Sequence, residues 1–174
     1  IMKNKILLPI IILFLFFCFI VLFKGLNNSN LYIPDSTSGK SLTNFNSTDL
    51  FSNTKISFEE IFVDSEFYIL NIWASWCLPC RTEHSYLVEL NKNSSIKLIG
   101  LNYKDNPDNA KNFINDFGNP YSLNIVDSKG TISIKLGAYG VPETFLINTE
   151  RIIIKKIIGP LNKKLIDEIN LITK

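Results

Sequence analysis

Apolar residues are grouped along the chain into runs whose lengths predict strands, with helix-like segments between them. The run "FYILNIWA" (67–74) is continuous and rich in β-branched and aromatic residues, as in a strand that is buried on both faces. "IKLIGLNY" (96–103) has the same character and predicts a second strand. Further strands are predicted over 121–127, 143–149 and 151–158, and the single residue between the last two favours a hairpin.

Three other segments predict helices. Residues 78–91 directly follow the first strand and have a helical pattern. Residues 106–118 have Pro107 early and Gly118 last, which suit the start and the end of a helix. In the segment 161–173, one face of a helix would carry Leu161, Leu165, Ile169 and Ile172. Strand–helix–strand followed by a hairpin and a last helix predicts an α/β domain around one mixed sheet.

The N-terminal segment from Ile6 to Phe23 differs from these runs, because its 18 residues carry no charge. As a helix it would span roughly 27 Å, close to the ~30 Å hydrocarbon thickness of a bilayer. A cleaved signal peptide is the alternative, but the run is longer than the usual ~7–15 residues and no small-x-small site follows it. A lipoprotein site at Cys18 is disfavoured because the bulky Phe17 precedes it. We expect an uncleaved membrane anchor.

The charges around this segment predict its orientation. Lys3 and Lys5 precede it, whereas Lys24 is the only charge after it before Asp35. By the positive-inside rule, the short N terminus is cytoplasmic and the rest of the chain lies across the membrane. The predicted organisation is a membrane anchor over 1–24, a polar linker over 25–40 and an exported domain over 41–174.

Composition excludes one class of function. The 174 residues are 46% hydrophobic, which is enough for one domain with a core beside the anchor. The formal net charge is +2 and no segment collects Lys and Arg alone, so we expect no nucleic-acid binding.

Candidate chemistry is concentrated where the first strand meets the first helix, at Cys77-Leu78-Pro79-Cys80. Thiol–disulfide exchange needs a thiolate that attacks and a second thiol that resolves the mixed disulfide. A helix N terminus favours the thiolate of Cys77, and Cys80 lies one turn further in. Pro79 is tolerated in a first helical turn. We assign Cys77 as the attacking thiol and Cys80 as the resolving thiol.

Metal binding and a purely structural disulfide are the alternatives. A zinc site would need two more ligands, but the chain has one histidine, His84, and no second Cys-x-x-Cys. Copper held by both cysteines and His84 would leave the proline unexplained. A structural disulfide would close a loop of four residues and constrain little chain entropy. Exchange is favoured, with no metal and no cofactor other than a Cys77–Cys80 disulfide.

Helical spacing places an acidic residue beside the cysteines. One stripe of the helix carries Cys80, Glu83, Leu87 and Leu90. Glu83 is therefore predicted to point towards the core, where desolvation raises its pKa and allows it to shuttle a proton during exchange. Alternatively, Glu83 lies at the edge of the stripe and reaches water. For His84, packing and a hydrogen bond are favoured over catalysis.

A second cluster of informative residues is "GAYGVPETFLI" (137–147), in which Val141–Pro142 is a candidate cis bond directly before a strand. With "WASWCLPCRTEH", "IGLNYKD" and "FGNPY", this block resembles the CcmG/DsbE family, the membrane-anchored thiol:disulfide interchange proteins of cytochrome c maturation. The resemblance covers about residues 60 to 160. It implies a thioredoxin-like fold, with a mixed central β-sheet flanked by helices, behind an N-terminal transmembrane helix.

The resemblance also implies roles for individual residues. Cys77 and Cys80 match the redox pair, and Pro142 matches the cis-proline that faces it. Val141 would offer its backbone to an extended substrate peptide. Glu83 and Glu143 match acidic residues of the active-site environment. The other residues expected to support the site are Trp76, Pro79 and Tyr139, and the region 103–120 would be the central insertion of the family.

The function implied by the resemblance is reductive. Such a protein would reduce the disulfide of apocytochrome c, directly or through a partner thiol protein, with electrons from a membrane thiol reductase. It would be held in the bacterial inner membrane by a single span, through residues 6–23, with the redox domain facing the periplasm. The direction of electron flow rests on the resemblance alone. A general TlpA- or ResA-type exported thiol reductase and a thiol-based metal-delivery module are the alternatives.

Overall fold

The computed structural model describes residues 4–27 and 37–174, which belong to two separate units of the chain. The first contains one helix, α1 (Asn4–Asn27). Its segment Leu7–Lys24 has a mean hydropathy of 2.9 and no buried residue, so it is long and apolar enough to cross a membrane. This helix is a candidate membrane anchor.

The predicted linker, 25–40, lies largely outside the described residues, which resume at Thr37. Its first residues continue α1, and its last residues belong to the second unit. There the N–H of Gly39 donates to the carbonyl of Ile153 at 2.8 Å. The folded domain therefore begins a few residues before the predicted boundary at 41.

The second unit contains seven strands and five helices among its described residues. The strands are β1 (Ser47–Thr48), β2 (Lys55–Ile56), β3 (Phe67–Trp73), β4 (Ile96–Tyr103), β5 (Leu123–Asp127), β6 (Glu143–Asn148) and β7 (Ile153–Ile158). The helices are α2 (Phe58–Ile61), α3 (Leu78–Leu90), α4 (Pro107–Phe117), α5 (Thr131–Lys135) and α6 (Lys163–Ile172).

Five of these strands form one mixed sheet in the order β5-β4-β3-β6-β7. Strands β3, β4 and β5 are parallel, whereas β6 pairs antiparallel with both β3 and β7. The predicted mixed sheet and the β6–β7 hairpin are thus confirmed. The central position of β3 explains why its sequence is apolar except for Asn71, because helices or loops cover both of its faces.

Successive side chains of each strand point to opposite faces of the sheet, so the core has two layers. Ile69 and Trp73 of β3 pack with α3, α4 and α6 on one face of the sheet. Leu70 and Ile72 pack on the other face, against α2 and α5. We call these the α3 face and the α2 face.

The last helix starts later than predicted, and the face that it buries differs in part from the predicted stripe. Asn162 caps α6 by accepting from the N–H of Leu165 at 3.1 Å, so Leu161 lies before the helix. The buried stripe then contains Ile166 and Ile169, while Ile172 is 39% exposed. Of the predicted stripe, Leu161 and Ile169 are buried and Leu165 packs partly buried against the same core, although Leu161 precedes the helix. Ile172 was placed on the buried face wrongly, and Ile166 was missed.

Candidate active site

The two cysteines lie where β3 ends and α3 begins, and they form a disulfide with a Cα–Cα distance of 5.3 Å. Cys77 is the N-cap residue of α3, and its Sγ accepts from the N–H of Cys80 at 3.1 Å. Pro79 lies in the first turn, where its missing N–H costs no helical hydrogen bond. Both cysteines are buried in this oxidised form.

An aspartate that sequence reasoning did not select holds the loop before Cys77. The carboxylate of Asp105 accepts from the N–H of Ser75 at 2.5 Å and from its hydroxyl at 2.8 Å. It also accepts from the amide of Asn102 at 3.0 Å and from the N–H of Asn106 at 2.8 Å. Asp105 therefore joins the cysteine loop to the end of β4 and the cap of α4. Its position after a strand parallel to β3 was the available signal.

Trp76 is fixed by the same neighbouring loop. Its indole Nε1 donates to the carbonyl of Lys104 at 3.1 Å. The ring nevertheless remains 58% exposed, and Leu78 between the cysteines is 70% exposed. The disulfide is thus bordered by apolar side chains that solvent can reach.

Glu83 points into the core on the α3 face and has no exposed surface. Its Oε1 accepts from the Nδ2 of Asn71 at 2.9 Å, and its Oε2 accepts from the N–H of Leu161 at 2.7 Å. Burial raises the pKa of Glu83 to about 7, although both hydrogen bonds oppose the rise. The predicted inward orientation is confirmed, and the alternative in which Glu83 reaches water is wrong.

His84 packs and makes a hydrogen bond, as predicted. Its Nε2 donates to the carbonyl of Gly118 at 2.8 Å, and its ring lies edge-on to Phe113 at 5.2 Å. Burial lowers the pKa of His84 against the opposing effect of its carbonyl partners.

The Val141–Pro142 peptide bond is cis. Strand β6 starts at the next residue, and its register pairs Glu143 with Ile72 near the end of β3. This pairing places Pro142 at the same end of the sheet as the cysteine loop. Tyr139, in the loop before Pro142, is 59% exposed and lies under the Nζ of Lys156 at 4.2 Å.

Glu143 belongs to a different environment from that of Glu83, on the α2 face with Phe145. Its Oε1 accepts from the N–H groups of Tyr139 at 2.5 Å and Gly140 at 2.9 Å. Its Oε2 lies 3.0 Å from the Nζ of Lys156. Lys156 in turn donates to the carbonyl of Gly137 at 2.6 Å.

This ion pair holds the loop before the cis-proline at both of its ends. Sequence reasoning selected Glu143 but missed Lys156, because nothing local distinguishes it from its neighbour Lys155. Glu143 therefore contributes a paired charge, and the site is less acidic than two unpaired carboxylates would make it.

Comparison with known proteins gives the family. Residues 37–171 match the Redoxin family. The chain is 37% identical over 166 residues to the thiol:disulfide interchange protein DsbE of Haemophilus influenzae, covering 94% of this chain and 91% of that protein. It is 34% identical over 171 residues to DsbE of Escherichia coli K12, covering 96% and 92%, respectively. The chain belongs to the DsbE family of thiol:disulfide interchange proteins.

Solved structures support the fold of this DsbE-family chain. A DsbE from Chlorobium tepidum superposes with a TM-score of 0.67 at 19% identity, covering 80% of this chain and 97% of that one. The thioredoxin domain of a thiol-disulfide oxidoreductase from Bacteroides vulgatus gives a TM-score of 0.67 at 15% identity, covering 79% and 98%. The predicted thioredoxin-like fold is confirmed. The protein is a thiol–disulfide oxidoreductase, and its family membership implies a thiol protein as redox partner.

Proposed function

We propose that this protein is a membrane-anchored reductase of exported thiol proteins that serves cytochrome c maturation. Its substrate would be the disulfide of apocytochrome c or of a partner thiol protein, and a membrane thiol reductase would return its electrons. The observation that carries the proposal is a Cys77–Cys80 disulfide at a helix N terminus in a chain of the DsbE family. We propose this disulfide as the redox centre, with no further cofactor.

The first step of the proposed reaction is attack by reduced Cys77. The helix N terminus favours its thiolate, which attacks one sulfur of the substrate disulfide. The substrate S–S bond breaks, a mixed disulfide with Cys77 forms, and the released substrate thiolate takes a proton from water. The exposed indole of Trp76 and the side chain of Leu78 would contact the substrate around this bond.

In the second step, Cys80 resolves the mixed disulfide. The Cys80 thiol gives its proton to the carboxylate of Glu83, one helical turn away, and the resulting thiolate attacks the Sγ of Cys77. The bond to the substrate breaks, the second substrate thiolate leaves and is protonated, and the Cys77–Cys80 disulfide remains. Two electrons have then passed to the substrate. A carboxyl whose pKa is about 7 can hold or release this proton at neutral pH.

The substrate would bind as an extended peptide beside the cis-proline. Val141 is half-buried and directly precedes Pro142, so its backbone can pair with such a peptide at the end of β6. The Glu143–Lys156 pair would support this binding by fixing the loop that contains Tyr139.

The proposed location is the bacterial inner membrane, with α1 as a single span and the redox domain in the periplasm. The length and apolarity of Leu7–Lys24 support the span. The basic residues before the span support a cytoplasmic N terminus.

Trapping with Cys80→Ser tests the proposal. The full chain with this substitution, expressed in bacteria that make cytochromes c, should accumulate a mixed disulfide through Cys77 with apocytochrome c or its thiol partner. The double variant Cys77→Ser/Cys80→Ser is the matched control and should trap nothing. Adducts with unrelated exported proteins would instead support a TlpA- or ResA-type reductase. Stoichiometric copper or zinc on the reduced protein, without reductase activity, would support metal delivery.

A further inference from the structure

The centre of the apolar strand β3 contains one buried amide, Asn71, on the α3 face. Its Nδ2 donates to the Oε1 of Glu83 at 2.9 Å and to the hydroxyl of Thr144 at 3.0 Å. Its Oδ1 accepts from the hydroxyl of Tyr121 at 2.7 Å. A buried amide without partners is destabilising, so this set of contacts explains how Asn71 is accommodated between apolar neighbours.

The hydrogen bonds also determine which way the amide faces. An ionised Glu83 only accepts, so the Nδ2 of Asn71 must face it and the Oδ1 must face Tyr121. The hydroxyl of Tyr121 then has to donate. Burial and, secondly, the charge of Glu83 raise the pKa of Tyr121 well above its ordinary value, which keeps this donor protonated.

The path of the Tyr121 ring across the sheet depends on a glycine. A Cβ on Gly100 would lie 2.8 Å from Cδ2 of Tyr121 and 2.8 Å from Nε1 of Trp73. The Tyr121 ring stacks on Trp73, with centroids 5.9 Å apart and planes 17° apart. Gly100 opposite Asn71 therefore provides the space through which Tyr121 reaches Asn71.

We propose that Tyr121 and Asn71 are positioning residues that set the pH at which Glu83 exchanges its proton during thiol–disulfide exchange. The inference rests on the proposed role of Glu83 and assigns a function to "FGNPY", which contains Tyr121. Both residues act through the carboxylate, as a chain of hydrogen bonds from Tyr121 to Asn71 to Glu83.

The groups around Glu83 define what else could titrate with it. On α3 itself, Cys80 precedes it by one turn and Cys77 caps the helix. The neutral Asn71 of β3 and, through it, Thr144 of β6 face the carboxylate. The segment before α6 contributes the N–H of Leu161, and Tyr121 comes from the segment before β5. The Glu143–Lys156 pair lies on the opposite face of the sheet.

The sign of the effect follows from the direction of these hydrogen bonds. The Asn71 amide donates to the carboxylate and therefore stabilises its ionised form. Without the Tyr121 hydroxyl, the amide loses the partner of its Oδ1, which helps to hold it in place, and its bond to Glu83 weakens. Glu83 should then keep its proton to a higher pH.

The experiment measures the rate of disulfide exchange against pH for the full chain in detergent micelles, with a disulfide-containing peptide as substrate. In Tyr121→Phe the midpoint that belongs to Glu83 should rise by about half a pH unit, and in Asn71→Leu by about one unit. Tyr86→Phe, the same chemical change at a half-buried residue of α3, should leave it in place. Tyr121→Phe removes one oxygen and keeps the ring packing, so it decides the question if Asn71→Leu fails to fold.

The outcomes separate this inference from the function on which it rests. If Glu83→Gln abolishes the transition while Tyr121→Phe leaves its midpoint unchanged, the hydrogen-bond chain is overturned and the proton role of Glu83 stands. If Glu83→Gln retains the wild-type transition, the proton role fails and the inference fails with it.

Discussion

Two buried carboxylates lie at the same end of the sheet but on opposite faces, and their partners differ in charge. Glu83 on the α3 face is 0% exposed, and Glu143 on the α2 face is 1% exposed. Glu83 receives hydrogen bonds from an amide and a backbone N–H, both neutral. Glu143 receives two backbone N–H groups and also faces the ammonium group of Lys156.

The comparison shows that burial alone does not determine what a carboxylate does. Desolvation is nearly equal for the two side chains, so the difference lies in what compensates for it. A carboxylate that meets only neutral donors has its pKa raised to about 7, where it can exchange a proton under working conditions. A carboxylate paired with a lysine instead connects two strands and a loop, and here that loop ends at the cis-proline.

Removing the counter-charge of Glu143 should have the largest effect. Lys156→Met leaves a buried carboxylate without its cation, which typically costs about 3–5 kcal/mol. The free energy of unfolding, measured by urea denaturation, should fall by that amount. The KM for a peptide substrate should rise as well, because the loop around Tyr139 loses its support.

Lys155→Met is the matched control for this change. Lys155 is the neighbouring residue of β7, and its ion pair with Glu168 is at the surface. Such pairs contribute only about 0–1 kcal/mol. Equal losses of stability in the two variants would contradict the assignment of Glu143 and Lys156 as a structural pair.

The raised pKa of Glu83 predicts that the stability of the protein depends on pH. Folding raises the pKa of Glu83 from 4.5 to about 7, so between these values the unfolded chain has lost a proton that the native state retains. Stability should therefore fall as pH rises through this window, by about 3 kcal/mol in total, and stay constant above it. In Glu83→Gln this fall should disappear.

Because His84 also contributes to the pH dependence of stability, the contribution of Glu83 has to be obtained by comparing wild type with Glu83→Gln. The pKa of His84 is lowered in the native state, so its protonation at acid pH destabilises that state. The contribution of His84 to stability therefore rises with pH, whereas that of Glu83 falls. The difference between wild type and Glu83→Gln, measured by denaturation from pH 4.5 to 8, isolates the contribution of Glu83. A difference that does not change with pH would refute the raised pKa. Glu89→Gln, at a more exposed position of α3, should follow the wild-type curve.

Local sequence patterns were sufficient to predict those features of the fold that do not depend on residues distant in sequence. The apolar runs gave β3 and β4 within one residue of their observed bounds, since a strand buried on both faces has no polar face. The helical period gave the inward orientation of Glu83. Four short elements, β1, β2, α2 and α5, were missed because their two to five residues show no period. Strand β5 also has five residues but was predicted as part of the run 121–127.

The side chains that pair with the two carboxylates, Asn71 and Lys156, could not be predicted, because they are distant in sequence from Glu83 and Glu143. Asn71 meets Glu83, Tyr121 and Thr144 at separations of 12, 50 and 73 residues. The side chain of Lys156 is only 9% exposed because the β6–β7 register places it opposite Phe145, after a register shift at Leu146/Ile147. The sequence "IIIKKII" has two adjacent lysines, and only the register decides which one faces Glu143.

The last prediction concerns the neutral donors of Glu83 and has the smallest expected effect. Gly100→Ala adds a methyl group 2.8 Å from Tyr121 and from Trp73, so the Tyr121 ring must move. Overpacking of this kind costs about 1–3 kcal/mol. The displaced hydroxyl should also release Asn71, so the pH midpoint of exchange should rise by about half a unit, as in Tyr121→Phe.

Gly140→Ala provides the control for stability, because a Cβ there would meet no atom within 4 Å. Stability and the pH midpoint of exchange together show whether Tyr121 only packs in the core or also positions the donors of Glu83. A loss of stability in Gly100→Ala with an unchanged midpoint would mean that Tyr121 contributes packing alone. A raised midpoint would mean that the donors of Glu83 must be accurately placed, since a shift of one aromatic ring would then change proton exchange without altering any charge.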